Sequence, residues 1–429
     1  MAEASIATIP IALPEARTRG KSLATSLYAR IIVVGAVSIV AGILWDISWH
    51  RTIGRDSFWT PAHLAIYLGG VLGGCVGGWL AFRGTLLASP EEKAGMVSVF
   101  GLRAPFGAWL CIWGAVAMLT SAPFDDWWHN TYGLDVKILS PPHAVLALGM
   151  WAIVWGALFL VLREQNLAKQ CAAGSLPAEQ GLAGCQPAVG AMRGADGNSH
   201  SLPGRWFVIL AGGILIAMAA TFYTEHSWPN QQRSITFYQL SSVVYPLYLT
   251  ALARASTFRF GATMVAAVYM LIYCLQGWVL PLFAGRPGLG PVYNPVDHFV
   301  PLTFPLLMVV PALAIDLLRW LRGSRAGWWH DWLLAVAIAI AFTGLFFMTQ
   351  WFFSAFLISE SSYNRFFFGQ LHWGYADNPG PHWNQFWHIG RPQYHPPVTF
   401  AGMLWALLWS FCAARVGLWF GGWLAKVKR

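Results

Sequence analysis

Apolar and polar positions along this chain alternate in long blocks, not at the short period of an amphipathic helix or strand. Runs of about 20 apolar residues recur between polar stretches, and that length crosses the ~30 Å hydrocarbon core of a bilayer as a helix. Ten segments qualify: 28–49, 60–82, 103–122, 141–162, 205–224, 236–253, 258–281, 298–320, 328–354 and 399–424. The sixth is the shortest. The expected fold is all-α, a polytopic transmembrane helix bundle of about ten spans. Residues 1–27 are polar and hold Arg17, Arg19 and Lys21. The apolar run after them is long enough to span, so it reads as a signal anchor and not a cleaved leader.

Composition agrees. Of 429 residues, 56% are hydrophobic and 10% charged, and mean hydropathy is +0.51. An ordinary soluble domain carries about 25% charged residues, so a cytosolic protein is excluded. The 25 tryptophans and 27 phenylalanines suit aromatic belts at both interfaces. The net charge of +9 does not call for nucleic acid, because basic cytoplasmic loops account for it. With both termini in the cytoplasm, the inner segments hold 19 basic residues and the outer segments seven, with Arg415 inside the last span. That asymmetry orients the bundle.

The polar stretches divide the chain into a cytoplasmic tail (1–27), a four-helix membrane domain (28–162), a cytoplasmic linker (163–204) and a six-helix membrane domain (205–429) with a long outer loop at 355–398. Cys75, Cys111, Cys274 and Cys412 sit in apolar spans, where small buried hydrophobes are the rule, and Cys171 and Cys185 share the linker without metal-ligand spacing.

This topology puts ten of the twelve histidines outside: His50, His63, His129, His143, His226, His298, His372, His382, His388 and His395, with only His200 and His330 inside. Six residues stand out among the outer polar groups. WDISWHRTIGRDSFWTPAH (45–63) and FDDWWHNTYGLDVKILSPPH (124–143) align as Asp-x3-His, a Thr two residues on, a Gly two after that, an Asp two further, and a closing Pro-x-His or Pro-Pro-His. The offset is 79 residues for Asp46/Asp125 and His50/His129, and 80 for His63/His143. This is an internal repeat of a helix–loop–helix hairpin. Asp and His four apart share a helix face, and the second His opens the returning helix. One carboxylate and two imidazoles from adjacent helices can then converge on one ion. The alternative is an interfacial ion pair of Asp46 with Arg51 or Arg55. Asp56 and Asp135 also repeat, as partners for the histidines or as helix caps. His372, His382, His388 and His395 are spaced by 10, 6 and 7 and define no helix face. Glu225, His226, Asp297 and His298 read as interface residues, with an extension of the metal region or a quinol or proton path as the alternatives.

The first copy resembles the C-type membrane component of the copper membrane monooxygenases, the particulate methane and ammonia monooxygenases. Asp46, Ser48, Trp49, His50, Thr52, Arg55, Asp56, Thr60, Pro61 and His63 stand where that family carries Asp-x3-His-x12-His in its setting. Asp125, His129, Pro141 and His143 match the spacing of the family's downstream Asn-x3-His-x13-His site, with Asp in place of Asn. An added carboxylate hardens a site and shifts its metal preference. Residues 279–302 are loosely similar to a segment of the family's A-type membrane component, so a C-like half joined to an A-like half is one reading. The resemblance implies copper as cofactor (zinc or iron as alternatives) and oxidation of a small apolar substrate or ammonia by dioxygen. It also implies a bacterial inner membrane with the metal sites on the periplasmic side. Its implied partners are lipid, other subunits including a periplasmic cupredoxin-like one, a quinol donor, and further copies in an oligomer.

Three ligands leave open positions, which oxygen chemistry needs, whereas structural sites are closed by four. The competing class is a non-catalytic metal-binding subunit or metal carrier. A carrier places polar residues mid-membrane on broken helices, and the mid-span stretches here read as almost purely apolar. A quinone-linked heme protein fits less well, since heme-ligating pairs sit mid-span and these histidines sit at span ends.

Overall fold

A computed structural model describes residues 15–54, 57–133, 140–172, 204–229, 231–288, 296–303, 305–323, 327–364, 366–367 and 396–428. The elements are α1 (Glu15–Thr52), α2 (Pro61–Leu86), α3 (Pro90–Ala94), β1 (Val97–Val99), β2 (Leu102–Ala104), α4 (Phe106–Tyr132), α5 (Pro141–Ala172), α6 (Arg205–Thr221), α7 (Ile235–Ala255), α8 (Gly261–Val279), α9 (Val309–Arg322), α10 (Trp328–Ile358) and α11 (Phe400–Leu424), with short 3-10 turns between some of them. The fold is all-α apart from the β1–β2 hairpin, in register Val97↔Ala104. Its turn, Phe100-Gly101, has positive φ at both residues, 50° and 81°, the twist that tight hairpins favour.

Among the described residues, seven helical stretches are long and apolar enough to cross a membrane: Ser26–Thr52, Pro61–Leu86, Phe106–Tyr132, Pro141–Gln170, Gly261–Leu282, Trp329–Leu357 and Phe400–Leu424. The chain is a multi-pass membrane protein. Each of the ten predicted segments contains a helix, but three fall short as spans. Arg205–Thr221 is apolar with only 17 residues. Ile235–Ala255 is diluted by Gln239, Ser241, Ser242 and three tyrosines. The segment 298–320 is helical only from Val309 onward.

Proline explains the third case. Pro301 and Pro305 lack the N–H that a helix needs, so 299–303 and 305–307 run through the protein without forming a helix. Their backbone groups are met from other elements. Val300 N donates to Thr52 Oγ1 (2.9 Å), and Leu302 N donates to Gln276 Oε1 (3.0 Å). Gln276 Nε2 donates to Leu302 O (2.8 Å), Thr224 Oγ1 to Thr303 O (3.0 Å), and Gln350 Nε2 to Leu306 O. Irregular backbone at membrane depth survives only where protein satisfies it in this way. Asp316 is buried in α9 and serves the start of α8, accepting from Ala262 N (3.2 Å) and Thr263 N (2.8 Å).

Glycine sets the helix crossings that matter most for the candidate site. A Cβ on Gly114 would stand 2.6 Å from Gly149 O, and one on Gly149 would stand 2.7 Å from Gly114 O, so α4 and α5 meet backbone to backbone. In the α1–α2 hairpin a Cβ on Gly69 would overlap Gly35 O, and one on Gly35 would lie 3.2 Å from Gly69 O. Gly35/Gly114 and Gly69/Gly149 carry the same offsets, 79 and 80, as the histidines. The two hairpins are thus crossed at equivalent points, roughly two to three turns below their Asp–His ends.

Opposite those ends, polar contacts tie the other helix termini together. Arg163 Nε donates to Lys428 O, Asn166 Nδ2 to Leu424 O, and Gln165 Nε2 to Ala255 O. Asp331 is shared by Arg254 (2.8 Å) and Arg322 (3.1 Å). Basic residues therefore gather at the end away from the histidine pairs. Of the cysteines in apolar spans, Cys111 is buried and Cys274 half-buried, while Cys75 and Cys412 are exposed.

Candidate metal centre

The last turns of α1 and the first turn of α2 bring Asp46, His50 and His63 together. Asp46 Oδ1 lies 3.1 Å from His63 Nε2, and Asp46 Oδ2 lies 3.9 Å from His50 Nε2. Local chemistry fixes each part. Thr52 Oγ1 donates to Ser48 O (2.7 Å) inside the final turn of α1. Gly54 then takes a positive φ of 83°, a conformation that favours glycine. Pro61 opens α2, where its missing N–H costs nothing, and this sets His63 in the first turn facing back at α1.

The second hairpin repeats the arrangement. Asp125 Oδ2 lies 3.5 Å from His129 Nδ1, and Asp125 Oδ1 lies 3.6 Å from His143 Nε2. Thr131 Oγ1 donates to Trp127 O (2.8 Å), as Thr52 does to Ser48. Gly133 has φ 88°, as Gly54 has 83°. His143 N is capped by Ser140 Oγ (3.4 Å). One difference separates the copies: His50 turns Nε2 to its carboxylate and His129 turns Nδ1.

Asp46 Oδ1 and Asp125 Oδ1 are both buried and accept no hydrogen bond, despite the nearby imidazoles. His63 Nδ1 sits 2.9 Å from Ser57 O. A carbonyl oxygen only accepts, so Nδ1 carries the proton there. In a neutral ring Nε2 then presents a lone pair toward the Asp46 carboxylate. Two lone-pair atoms 3.1 Å apart need a cation, either a proton or a metal ion. A histidine whose far nitrogen is fixed by a carbonyl is also the common arrangement behind a metal ligand. Ligand atoms about 2.0–2.2 Å from a tetrahedral ion lie about 3.3–3.6 Å from one another, and the four carboxylate–imidazole separations, 3.1–3.9 Å, bracket that range. The paired groups are therefore of metal-ligand type, at separations that two ligands of one ion can adopt. The contacts are carboxylate-to-imidazole pairs, and among the described residues no group of three or more His, Cys, Asp or Glu forms a ready-made ligand cluster.

Arg51, the alternative partner for Asp46, turns elsewhere: its guanidinium stacks 4.4 Å over the Trp228 ring. The end of α1 is bound to the second half of the chain, with Gly288 N donating to Ile53 O (2.8 Å) and Trp49 packing on Phe299 at 5.6 Å. His298 belongs to this junction. Its Nδ1 is 2.9 Å from Asp297 Oδ1, and that hydrogen bond holds the exposed Asp297 carboxyl below its ordinary range. Arg55, Asp56, Asp135, His200, His372, His382, His388 and His395 lie outside the described residues. Sequence reasoning missed Ser57, which acts through a backbone carbonyl that no side-chain pattern announces. It also missed the second role of Thr52. No protein-family model, curated protein or solved structure matches the chain.

Proposed function

We propose that the chain is a membrane-embedded metal oxidoreductase in which Asp46, His50 and His63 hold one copper ion and Asp125, His129 and His143 hold a second. The observation that carries this reading is the pair of buried carboxylate oxygens, Asp46 Oδ1 and Asp125 Oδ1, left without hydrogen bonds beside imidazoles at equivalent places in two hairpins. Three of the four carboxylate–imidazole separations, 3.5, 3.6 and 3.9 Å, are wider than the hydrogen bond that an ion pair would close into. Three side chains would hold copper with positions left open, and the chemistry it would supply there is dioxygen activation. Asp46 and Asp125 would supply charge, His63 a lone pair oriented by Ser57, and the apolar helices a route for a small apolar substrate or for ammonia. The resemblance to copper membrane monooxygenases supports the same reading, and with it a periplasmic orientation, a quinol donor and partner subunits.

The test is metal content of the full chain purified in detergent without chelator. We expect two equivalents of copper, one lost in Asp46→Asn/His63→Ala and the other in Asp125→Asn/His143→Ala, while Asp126→Asn keeps both. Intact protein free of transition metal, or the four-residue variant still carrying stoichiometric copper, overturns the reading.

One observation favours a second reading, a metal carrier. The non-helical stretch before α9 leaves a half-length helix preceded by irregular backbone, and irregular backbone beside half-helices lines the binding sites of transporters. Metal accumulation inside proteoliposomes would select the carrier, and dioxygen consumption without accumulation the oxidoreductase.

A further inference from the structure

An apolar groove of about 430 Å³ opens between the starts of α6 and α8, walled by Trp206, Phe207, Leu210, Met264, Ala267 and Val268. It ends where the two helices touch: a Cβ on Gly213 would stand 2.6 Å from Val268 Cβ. Its open end lies at the basic end of the bundle. There the Arg205 guanidinium stacks over the Phe258 ring (4.2 Å) and the Trp206 ring (5.9 Å), and that of Arg30, from α1, lies over Phe207 (5.2 Å). Two of the groove's own wall rings thus carry cations from two different helices. Glu164 brings one carboxylate close, under the charges of both Arg163 and Arg30. Among the described residues, Arg30 and Arg205 thus bring two guanidiniums to this end of the groove, and Glu164 one carboxylate.

We propose that this groove is a binding site for an anionic phospholipid, with an acyl chain between α6 and α8 and the phosphate between Arg30 and Arg205. The apolar walls match hydrocarbon. Cations at the mouth match a headgroup whose negative charge is not balanced by a choline. Basic pockets between membrane helices select anionic lipid on this principle. The site is separate from the Asp–His centres and does not depend on them.

The experiment is native mass spectrometry of the delipidated full chain, titrated separately with phosphatidylglycerol and phosphatidylcholine of identical acyl chains. Each arginine near a headgroup is worth about five-fold in affinity, so wild type should prefer phosphatidylglycerol by about 30-fold. Arg30→Gln/Arg205→Gln should abolish the preference by weakening phosphatidylglycerol binding far more than phosphatidylcholine binding, and Arg30→Lys/Arg205→Lys should retain it. Ala267→Trp, which fills the groove, should weaken both lipids, and Ala267→Leu replaces it if the larger ring prevents folding. Equal retention of both lipids by wild type, or a preference that survives the Gln pair, overturns the proposal. So does a groove closed by a second protein chain, seen as an oligomer that binds no lipid and falls apart in Ala267→Trp.

Discussion

Gly149→Ala tests whether the helix crossing positions the second Asp–His centre. The added methyl would stand 2.7 Å from Gly114 O, 2.9 Å from Met118 Cγ and 3.0 Å from Met118 N. Ordinary contact for a Cβ begins at 3.4 Å, so α4 and α5 must part by roughly 0.7 Å. Met118 can swing its side chain away, but the other two atoms are backbone. Overpacking of this kind costs about 1–3 kcal/mol. The displacement also exceeds the ~0.2 Å tolerance of metal–ligand distances, and Asp125 and His143 ride on the two helices being separated. The assay is thermal unfolding of the full chain in detergent at one scan rate, paired with copper titration. We expect a lowered Tm and a weakened second site beside an unchanged first site. Gly78→Ala is the control, because a Cβ there meets nothing within 4 Å. Gly149→Ala protein as stable as the Gly78→Ala control, or binding two copper ions with wild-type affinity, would refute the reasoning.

Three further outcomes follow from the same geometry. Asp316→Ala removes a buried carboxylate that accepts from Ala262 N and Thr263 N and pairs with Arg319 at 3.3 Å; we expect a loss of about 3 kcal/mol, read as a lowered unfolding midpoint, with copper content unchanged. Gln276→Leu strips both hydrogen bonds from Leu302 in the non-helical segment and should cost about 2–4 kcal/mol and raise protease sensitivity around 299–308; full resistance there would contradict the assigned role. Thr52→Val leaves Val300 N without its acceptor and should cost about 1–3 kcal/mol, with Thr52→Ser close to wild type in the same thermal assay.

Much of this was legible in the chain because it repeats. Asp46, His50 and His63 recur as Asp125, His129 and His143, and a helix turn plus a proline-opened helix suffice to bring each trio together. The same offsets also mark Gly35/Gly114 and Gly69/Gly149, a signal that was present but weak, since glycine is common in membrane helices. The break before α9 was not legible from hydropathy. Val300, Leu302, Leu306 and Leu307 are as apolar outside a helix as within one, and only Pro301 and Pro305 hinted at the difference. The partners that make the break tolerable, Thr52, Thr224, Gln276 and Gln350, are scattered over most of the chain and meet only in the folded protein.

The two hairpins share one turn and differ in what that turn is fastened to. Thr52 and Thr131 make the same bond to the carbonyl four residues back, so that bond belongs to the turn. Thr131 is exposed, whereas Thr52 is fully buried and its hydroxyl also accepts from Val300 N. Ile53 O, Trp49 and Arg51 extend the same junction to Gly288, Phe299 and Trp228. The first Asp–His end is thereby fastened to the second half of the chain through four residues of one short stretch. A perturbation in the second half that moves the segments around Gly288 and Phe299 pulls directly on the helix that carries Asp46 and His50. The hairpins share one local design, and the first has been built into the junction between the halves. For that reason Thr52→Val should disturb copper at the first site, while the corresponding change, Thr131→Val, should leave the second site as it is. Equal effects on the two sites would show that the junction does not reach the metal ligands.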